Sequence, residues 1–420
     1  MLNPNNIASP VLLIACHAWF HEQIGGAFKI ATELAEYLAR QGHHVCYVCG
    51  TRERAPVNPT IDGGVELWRY PYPEQPSPHP ANLLGHVRGA YRLTREILRR
   101  SPVVCLNGHS PLQFLGASLA AAGRCRRQVY SVHSPFPDEL DSNRQGTARS
   151  LKQRAGAWAA RAIERMNCRR ATTVQCFSEF TARRLAELYG RAVRGKVLVS
   201  PGWVDIDRFQ PVVDRAAVRS GLGSAWQTPK PLFLTVRRLE ARMGLEALIE
   251  AARILCDQRL EFRLLIGGAG SLEPRLRQMV DEHCLHETVC VLGRIPDDQL
   301  PLCFAAADCF VLPTRVLECF GLIILEAYAC GIPVIGTPVG AIPELVAPQG
   351  REWLTAGVES RDLAERMAAF LSGGLTADRK SLRLYAEQWR SQRGLESLAR
   401  MLLPLSETQT AYEQGCCDAG

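Results

Sequence analysis

The sequence predicts an α/β protein made of two doubly wound parallel sheets whose domains face each other across a cleft. Three observations carry this expectation. Short β-branched runs alternate with amphipathic helical stretches through both halves, the pattern of parallel sheets covered by helices. The 420 residues exceed what one hydrophobic core usually reaches, so two domains of roughly 200 residues are expected. Between the two series of runs lies a polar, turn-rich stretch with no continuous apolar stripe, 206–230, which reads as a linker.

In the first half the apolar runs 11–16, 45–49, 103–106, 128–132, 173–176 and 197–200 read as strands. The segment AFKIATELAEYLARQG after the first run has a period-3.6 apolar face and reads as a helix packed on its sheet. In the second half the strands are expected at 232–236, 262–266, 288–292, 309–312, 333–336 and 352–354. The domains are therefore placed at 1–205 and 231–385, with 386–420 forming a helix that returns toward the first domain, plus a tail. Ligands of such sheets bind outside the carboxyl ends of the strands, which puts the site between the domains.

Composition removes several classes. At 47% apolar and 22% charged, the chain is neither disordered nor fibrous. The longest charge-free stretch, 101–123, contains Pro102, Asn107, His109 and Gln113, so it reads as strand, loop and core helix rather than a membrane span. The start MLNPNNIASPVLLIAC has no basic residues ahead of its short apolar run and does not read as a signal peptide. Sixteen cysteines in such a chain are expected to stay reduced, which suits a cytoplasmic protein. Cys46 and Cys49 have redox or zinc spacing, but three residues apart on a strand they point to opposite faces, so they read as buried thiols.

The net charge of +7 is divided unequally. Residues 1–205 hold 26 basic and 15 acidic residues, net +11, whereas 206–420 hold 23 and 27, net −4. The excess gathers on two stretches. Between Arg144 and Arg170 lie eight basic residues and one acidic, with Leu151, Ala155, Trp158, Ala162 and Met166 at helical spacing. The segment 85–100 carries Arg88, Arg92, Arg95, Arg99 and Arg100. One reading is a solvated helix face packed on the core; the other is attachment to an anionic membrane surface, which would leave the protein peripheral at the inner face of the membrane. Nucleic acid is not expected as a partner, because aromatic residues are not interleaved with the basic ones.

The chemistry concentrates in the second half. Glu318-CFGLIIL-Glu326 follows the strand CFVLPT, and Glu326 is the sole charge between Cys319 and Pro343. A carboxylate in an otherwise core-facing helix needs donors, from the protein or from ligand hydroxyls. An isolated Glu of this kind reads first as a cap on a neighbouring loop. Here a second one, Glu318, stands at the helix start beside the backbone N–H groups of Phe320, Gly321 and Leu322. Two acceptors beside a helix N-terminus suit a polyhydroxylated anion. Upstream, Arg237, Arg238 and Arg242 lie between the end of strand FLTV and the next helix, where guanidinium groups match phosphate oxygens. In the first half, Gly25 and Gly26 begin a helix, and His109 and His133 each lie just past a strand end.

These residues resemble the family 4 retaining glycosyltransferases, which have the two-domain GT-B fold of paired Rossmann-like domains. The resemblance spans nearly the whole chain: Gly25-Gly26, SEF at 178–180, PGWVDIDRF at 201–209, the Glu-x7-Glu segment with EAYACGIPVIGTPVGAIPE, and a C-terminal helix bearing Trp389. It implies transfer of a sugar from a nucleotide-diphosphate donor to a hydroxyl of a glycan, lipid-linked or small-molecule acceptor, in glycan, polysaccharide or glycolipid synthesis. The donor is a substrate, no cofactor is implied, and no metal is required. By the same resemblance Glu318 and the backbone of Phe320, Gly321 and Leu322 would hold the donor sugar, Glu326 the ribose, and Arg238 the diphosphate. Arg294 and Ile295 would meet the base. Gly25 and Gly26 would face the donor phosphates and the acceptor, while His133 would contact the sugar and orient the reaction as a catalytic residue and, with His109, stand on the acceptor side. Met243 occupies a position where the family commonly has Lys; either Arg242, the expected residue, or Arg237 supplies the second positive charge, or the site binds donor more weakly. Asp205-Ile-Asp207 imitates a metal motif but lies at the domain junction, and Gly267-Gly-Ala-Gly270 reads as a close strand-to-helix turn. No carboxylate stands out in the first-half loops as a nucleophile. A nucleotide-sugar-binding protein without transfer and a sugar-nucleotide epimerase are the alternatives; phosphorolysis through pyridoxal phosphate would need a Lys that these motifs lack.

Overall fold

The computed structural model describes residues 10–23, 25–72, 80–142 and 150–403. The N-terminal lead-in 1–9, Arg144, Arg149 and the tail 404–420 lie outside the described residues. Two sheets organise the chain. The first has eight strands: β1 (Val11–Ala15), β2 (His44–Thr51), β3 (Thr60–Asp62), β4 (Val65–Pro71), β5 (Val103–Gly108), β6 (Arg127–Val132), β7 (Thr173–Cys176) and β8 (Val197–Val199). They are arranged β3-β4-β2-β1-β5-β6-β7-β8. The second has five: β9 (Leu232–Val236), β10 (Arg263–Gly267), β11 (Val289–Gly293), β12 (Cys309–Leu312) and β13 (Val334–Gly336), in the order β11-β10-β9-β12-β13. All pairings are parallel except β3 with β4. In each sheet the strand order reverses beside its first strand, between β1 and β5 and between β9 and β12. Those switch points are where doubly wound sheets open a crevice.

The helices form for the reasons their patterns indicate. Gly26–Arg40 buries Ile30, Ala31, Leu34, Ala35 and Leu38 on one stripe and ends before Gly42, which takes φ 84°. Leu245–Asp257 similarly buries Leu245, Leu248, Ile249, Ala252 and Leu255. Each buried Leu or Ile among them contributes about 1.5–3 kcal/mol through burial. Cys46 belongs to one core of the first sheet and Cys49 to the other, which is what spacing by three on a strand requires. Cys46 donates to Glu66, which also pairs with His44 at 2.6 Å.

Four features differ from the sequence expectation. The hairpin β3–β4 adds two strands, since Leu67, Trp68 and Tyr70 are buried although charged residues interrupt the run. Residues 351–353 form a 3-10 turn, and only Leu354 bridges to Gly336; buried Trp353 anchors this turn. The stretch 206–230 is more than a spacer: it contains the helix Arg215–Leu222 and buries Phe209 and Trp226. Arg215 and Arg219 there both grip Asp308. Trp389 lies in the turn between helices Arg379–Glu387 and Ser391–Leu402, because Val204 takes over its backbone: Val204 N–H donates to Trp389 O at 2.9 Å. The helix Ser391–Leu402 then packs on the first domain, with Gly394 against the Trp203 ring and Ser397 3.3 Å from Ser200.

Candidate functional site

The site assembles where strand ends of the two sheets meet. In the second domain, β9 delivers Arg237 and Arg238, and β12 leads to Glu318. The two loops are locked together by contact so close that a Cβ on Gly244, which takes φ 74°, would lie 1.8 Å from Pro313 O. Gly268 plays the same part for the Gly-Gly-Ala-Gly turn, where a Cβ would meet Arg237 O at 1.8 Å.

The three arginines expected at the phosphates have three different environments. Arg237 is buried, and its Nη2 donates to Glu318 Oε2 at 3.0 Å while Nη1 donates to Thr314 Oγ1 at 2.7 Å. Burial pulls its pKa down from the usual guanidinium value, and the Glu318 carboxylate opposes that shift. Arg238 is 60% exposed at the side chain and reaches into the cleft. Arg242 is only 8% exposed: its Nη1 donates to Leu317 O at 2.9 Å. Arg242 lies in the 3-10 turn Ala241–Met243, and the same guanidinium that bonds Leu317 O also comes within 3.6 Å of Glu139 Oε1 in the first domain. Met243 is buried beside it and offers no charge.

Glu318 sits just before the helix Leu322–Ala329, whose N-cap is Gly321 at φ 90°, with no side chain capping its first N–H groups. Phe320 closes the turn against Trp389, with ring centroids 5.9 Å apart. Glu326, on that helix, is 14% exposed and lies 3.7 Å from Lys29 Nζ, which comes from the first domain. Burial raises the Glu326 pKa, and Lys29 and Arg208 pull it back. Arg294 is exposed beyond β11, and Ile295 packs over Gly267 at the end of β10.

On the facing side, Gly25 and Gly26 open the helix Gly26–Arg40, again with no side-chain cap. A Cβ on Gly26 would meet nothing within 4 Å. His109 and His133 are brought together, His109 Nδ1 lying 2.9 Å from His133 Nε2. Their protonation can be derived. Asn107 Nδ2 donates to Val129 O and Ser131 Oγ, so its Oδ1 must accept from His109 Nε2 at 2.7 Å. His109 Nδ1 is then the acceptor for His133 Nε2–H, leaving Nδ1 of His133 as a lone-pair acceptor. Burial holds both imidazoles neutral, with His133 lowered to about 3 and His109 well below its usual value. The His133 ring stacks on Phe177 at 4.7 Å.

The residues 178–180 join the domains rather than touch the cleft. Ser178 and Thr181 hydroxyls donate to Cys319 O, and Glu344 accepts from the backbone N–H groups of Glu179 and Phe180. Asp205 caps a turn by accepting from Asp207 and Arg208 N–H.

Sequence reasoning missed several residues. A first-half carboxylate does reach the arginines: Glu139 Oε1 lies 3.6 Å from Arg242 Nη2 and 3.8 Å from Arg238 Nη2. The D-E pair right after the His133 loop was the available signal. Lys29, one helical turn beyond Gly25-Gly26, was another. His17, stacked on Phe28 and tilted against Tyr72 and His86, forms an aromatic wall beside the glycines, and no spacing rule links those positions.

Residues 24–208 match the family model described as Glycosyltransferase Family 4, and residues 223–389 match that of Glycosyl transferases group 1. Over 279 residues the chain is 32% identical to the GDP-mannose-dependent alpha-(1-6)-phosphatidylinositol monomannoside mannosyltransferase of Mycolicibacterium smegmatis, covering 64% of this chain and 67% of that one. The chain belongs to the family 4 glycosyltransferases. This family 4 chain is also 34% identical over 207 residues to the putative colanic acid biosynthesis glycosyltransferase WcaL of Escherichia coli, covering 48% of each. It thus spans about half the length of WcaL and of other curated relatives it matches. Sucrose-phosphate synthase from Thermosynechococcus elongatus superposes with a TM-score of 0.78 at 20% identity, covering 96% of this chain and 100% of that one. Anabaena HepE in complex with UDP and glucose gives 0.70 at 18%, covering 93% and 100%. These likenesses establish the fold, two Rossmann-like domains in the GT-B arrangement.

Proposed function

We propose that this family 4 protein transfers a sugar, with retention of anomeric configuration, from a nucleotide-diphosphate donor to an acceptor hydroxyl. The observation that carries the reading is that the two strand-end clusters meet across the cleft: Lys29 of the Gly26–Arg40 helix reaches Glu326 at 3.7 Å, Arg238 reaches Glu139 at 3.8 Å, and Phe177, stacked on His133, lies 6.5 Å from Phe320 beside Glu318. In this reading Glu318 and the backbone of Phe320–Leu322 grip the donor sugar, and Glu326 accepts from the ribose. Arg238 and the two helix N-termini stabilise the charge that develops on the leaving phosphate, so a metal has no assigned part. His133 Nδ1, being an acceptor, takes a hydrogen bond from a sugar hydroxyl. With both histidines neutral and aligned as donor and acceptor, His109 and Asn107 act to orient that ring. In this reading Glu139 is paired with the arginines and His133 Nδ1 is engaged by a sugar hydroxyl, and the leaving phosphate accepts the proton of the attacking hydroxyl.

The named donors of the similar proteins define the first test. UDP-glucose and GDP-mannose lead a thermal-shift panel of nucleotide sugars, followed by assay of acceptor-free hydrolysis for any hit. A ligand at 100 times its Kd adds about 2.7 kcal/mol of stability. Binding followed by slow hydrolysis supports the reading; no shift with any nucleotide sugar overturns it. Binding without turnover across a broad acceptor panel would favour a nucleotide-sugar-binding protein instead, the reading that the buried, uncharged Met243 supports.

For the acceptor side, the helix Leu151–Arg170 exposes Leu151 (82%) and Trp158 (74%) rather than packing them on the core. With Arg154, Arg161 and Arg165 exposed beside them, this face supports an anionic membrane as the surface that presents a lipid-linked acceptor. Vesicle sedimentation with no preference for anionic lipid at low salt would remove that part of the proposal.

A further inference from the structure

Glu139 is held more firmly than a cleft-lining loop residue needs to be. Its helix, Phe136–Ser142, is fixed at the start by Phe136 N–H donating to Glu164 at 2.8 Å, and Glu164 is itself buried between the hydroxyls of Tyr130 and Tyr189. Arg184 grips the preceding residue, Asp138, with two hydrogen bonds of 2.6 and 3.0 Å. Ser134 Oγ donates to Glu139 Oε2 at 2.7 Å, which leaves Oε1 turned toward the second domain and its arginines.

On the other side of the cleft, Arg242 contacts the turn before Glu318 in two ways. Its backbone carbonyl accepts from the N–H groups of Arg315 and Val316, and its guanidinium donates to Leu317 O. Leu317 takes φ 57°, a left-handed conformation that a Leu adopts only where its surroundings over-determine it. A guanidinium as buried as that of Arg242 needs a counter-charge. Among the described residues, the carboxylate within ion-pair distance of it is Glu139, from the other domain.

We propose that Glu139 is a positioning residue for the pocket around Glu318 and acts across the cleft through Arg242. Domain closure brings the Glu139 carboxylate to Arg242. The paired Arg242 then holds Leu317 in its left-handed turn, and that turn sets the direction in which Glu318 leaves the chain. Separation of the domains removes the counter-charge and loosens the turn. Closure and completion of the sugar-gripping loop are thereby one event. What Glu318 grips rests on the proposed function; the coupling between Glu139 and the turn does not.

The test uses the full chain and the variants Glu139→Gln, Arg242→Met and their combination. In ligand-free protein, hydrogen exchange of the backbone at 315–321 is expected to accelerate about fivefold in Glu139→Gln, while amides of the helix Phe136–Ser142 keep their protection. The combined variant is expected to be no faster than Arg242→Met alone. Unchanged exchange at 315–321 in Glu139→Gln, or effects that simply multiply, would overturn the proposal. With a nucleotide sugar and its nucleoside diphosphate as probes, Glu139→Gln should lower the affinity ratio of sugar nucleotide to diphosphate about tenfold while diphosphate affinity stays within twofold. Equal weakening of both would indicate a merely structural role, and tighter diphosphate binding would make Glu139 a placeholder for phosphate; either result overturns the proposal. Failure of the wild type to bind any nucleotide sugar would count against the functional reading, and the exchange result would still decide the coupling.

Discussion

The pair Arg237–Glu318 gives an asymmetric prediction, because the two partners are buried to different depths. They meet at 3.0 Å with side-chain exposures of 7% and 19%. Glu318→Gln removes the carboxylate and leaves a guanidinium in a site from which water is excluded, a change that costs about 3 kcal/mol where a buried pair is broken. Arg237→Met leaves a carboxylate that can still turn toward the cleft and its water, so the cost falls to about 1.5–2 kcal/mol. Removing both leaves no stranded charge, and the double variant should cost about 1 kcal/mol, well below the sum. For domains of this size 1 kcal/mol corresponds to about 2–4 °C in Tm. Thermal melts followed by circular dichroism should therefore place Glu318→Gln about 6–12 °C below wild type, Arg237→Met nearer, and the double variant nearest. A Glu318→Gln protein that melts at or above the wild type, or single effects that add, would show that Arg237 does not depend on Glu318 for its burial.

Three further outcomes are expected. His133 has a folded pKa lowered to about 3, so the unfolded chain, whose histidines titrate near 6.5, binds more protons below that pH. Stability should then decline as pH falls from about 6.5 toward 4, at about 1.4 kcal/mol per pH unit for this one group, and His133→Gln should flatten the decline in urea titrations by that amount. Gly340→Ala places a Cβ 2.0 Å from Glu318 O at a residue with φ 61°, so a loss of more than about 3 kcal/mol is expected in the same titrations. Gly26→Ala meets open space and should change stability by less than about 0.5 kcal/mol, yet weaken nucleotide-diphosphate binding by calorimetry if phosphate approaches that helix start.

Much of the architecture was legible because it is written in local patterns. Eleven strand positions follow from short apolar runs, and the helix Gly26–Arg40 from its stripe. The hairpin β3–β4 was not legible: Val65–Pro71 breaks the period-2 pattern, burying Leu67 and Trp68 in succession between Glu66 and Arg69, and its strand character depends on pairing with β2. Residues 351–353 failed in the opposite sense, since a buried Trp looks the same in a strand or in a 3-10 turn.

The sequence by itself determined the alternation of eleven strands with helices, the two-domain class, the family and the chemistry present at the strand ends, because each depends on residue type and short spacing. It also determined that Glu326 would need a partner, since a lone charge in an apolar helix has none nearby. Only the tertiary structure decided which arginine does what. Arg237 and Arg238 are neighbours, yet one is sealed against Glu318 and the other is open to the cleft, and Arg242 is buried while still meeting Glu139 of the first domain. Their partners lie far away along the chain, Glu318 for Arg237 and Glu139 for Arg242, and Lys29 reaches Glu326 from the opposite domain. Guanidinium groups of identical composition differ in role through desolvation and counter-charge, and both are set by which distant segments the fold brings within a few ångströms.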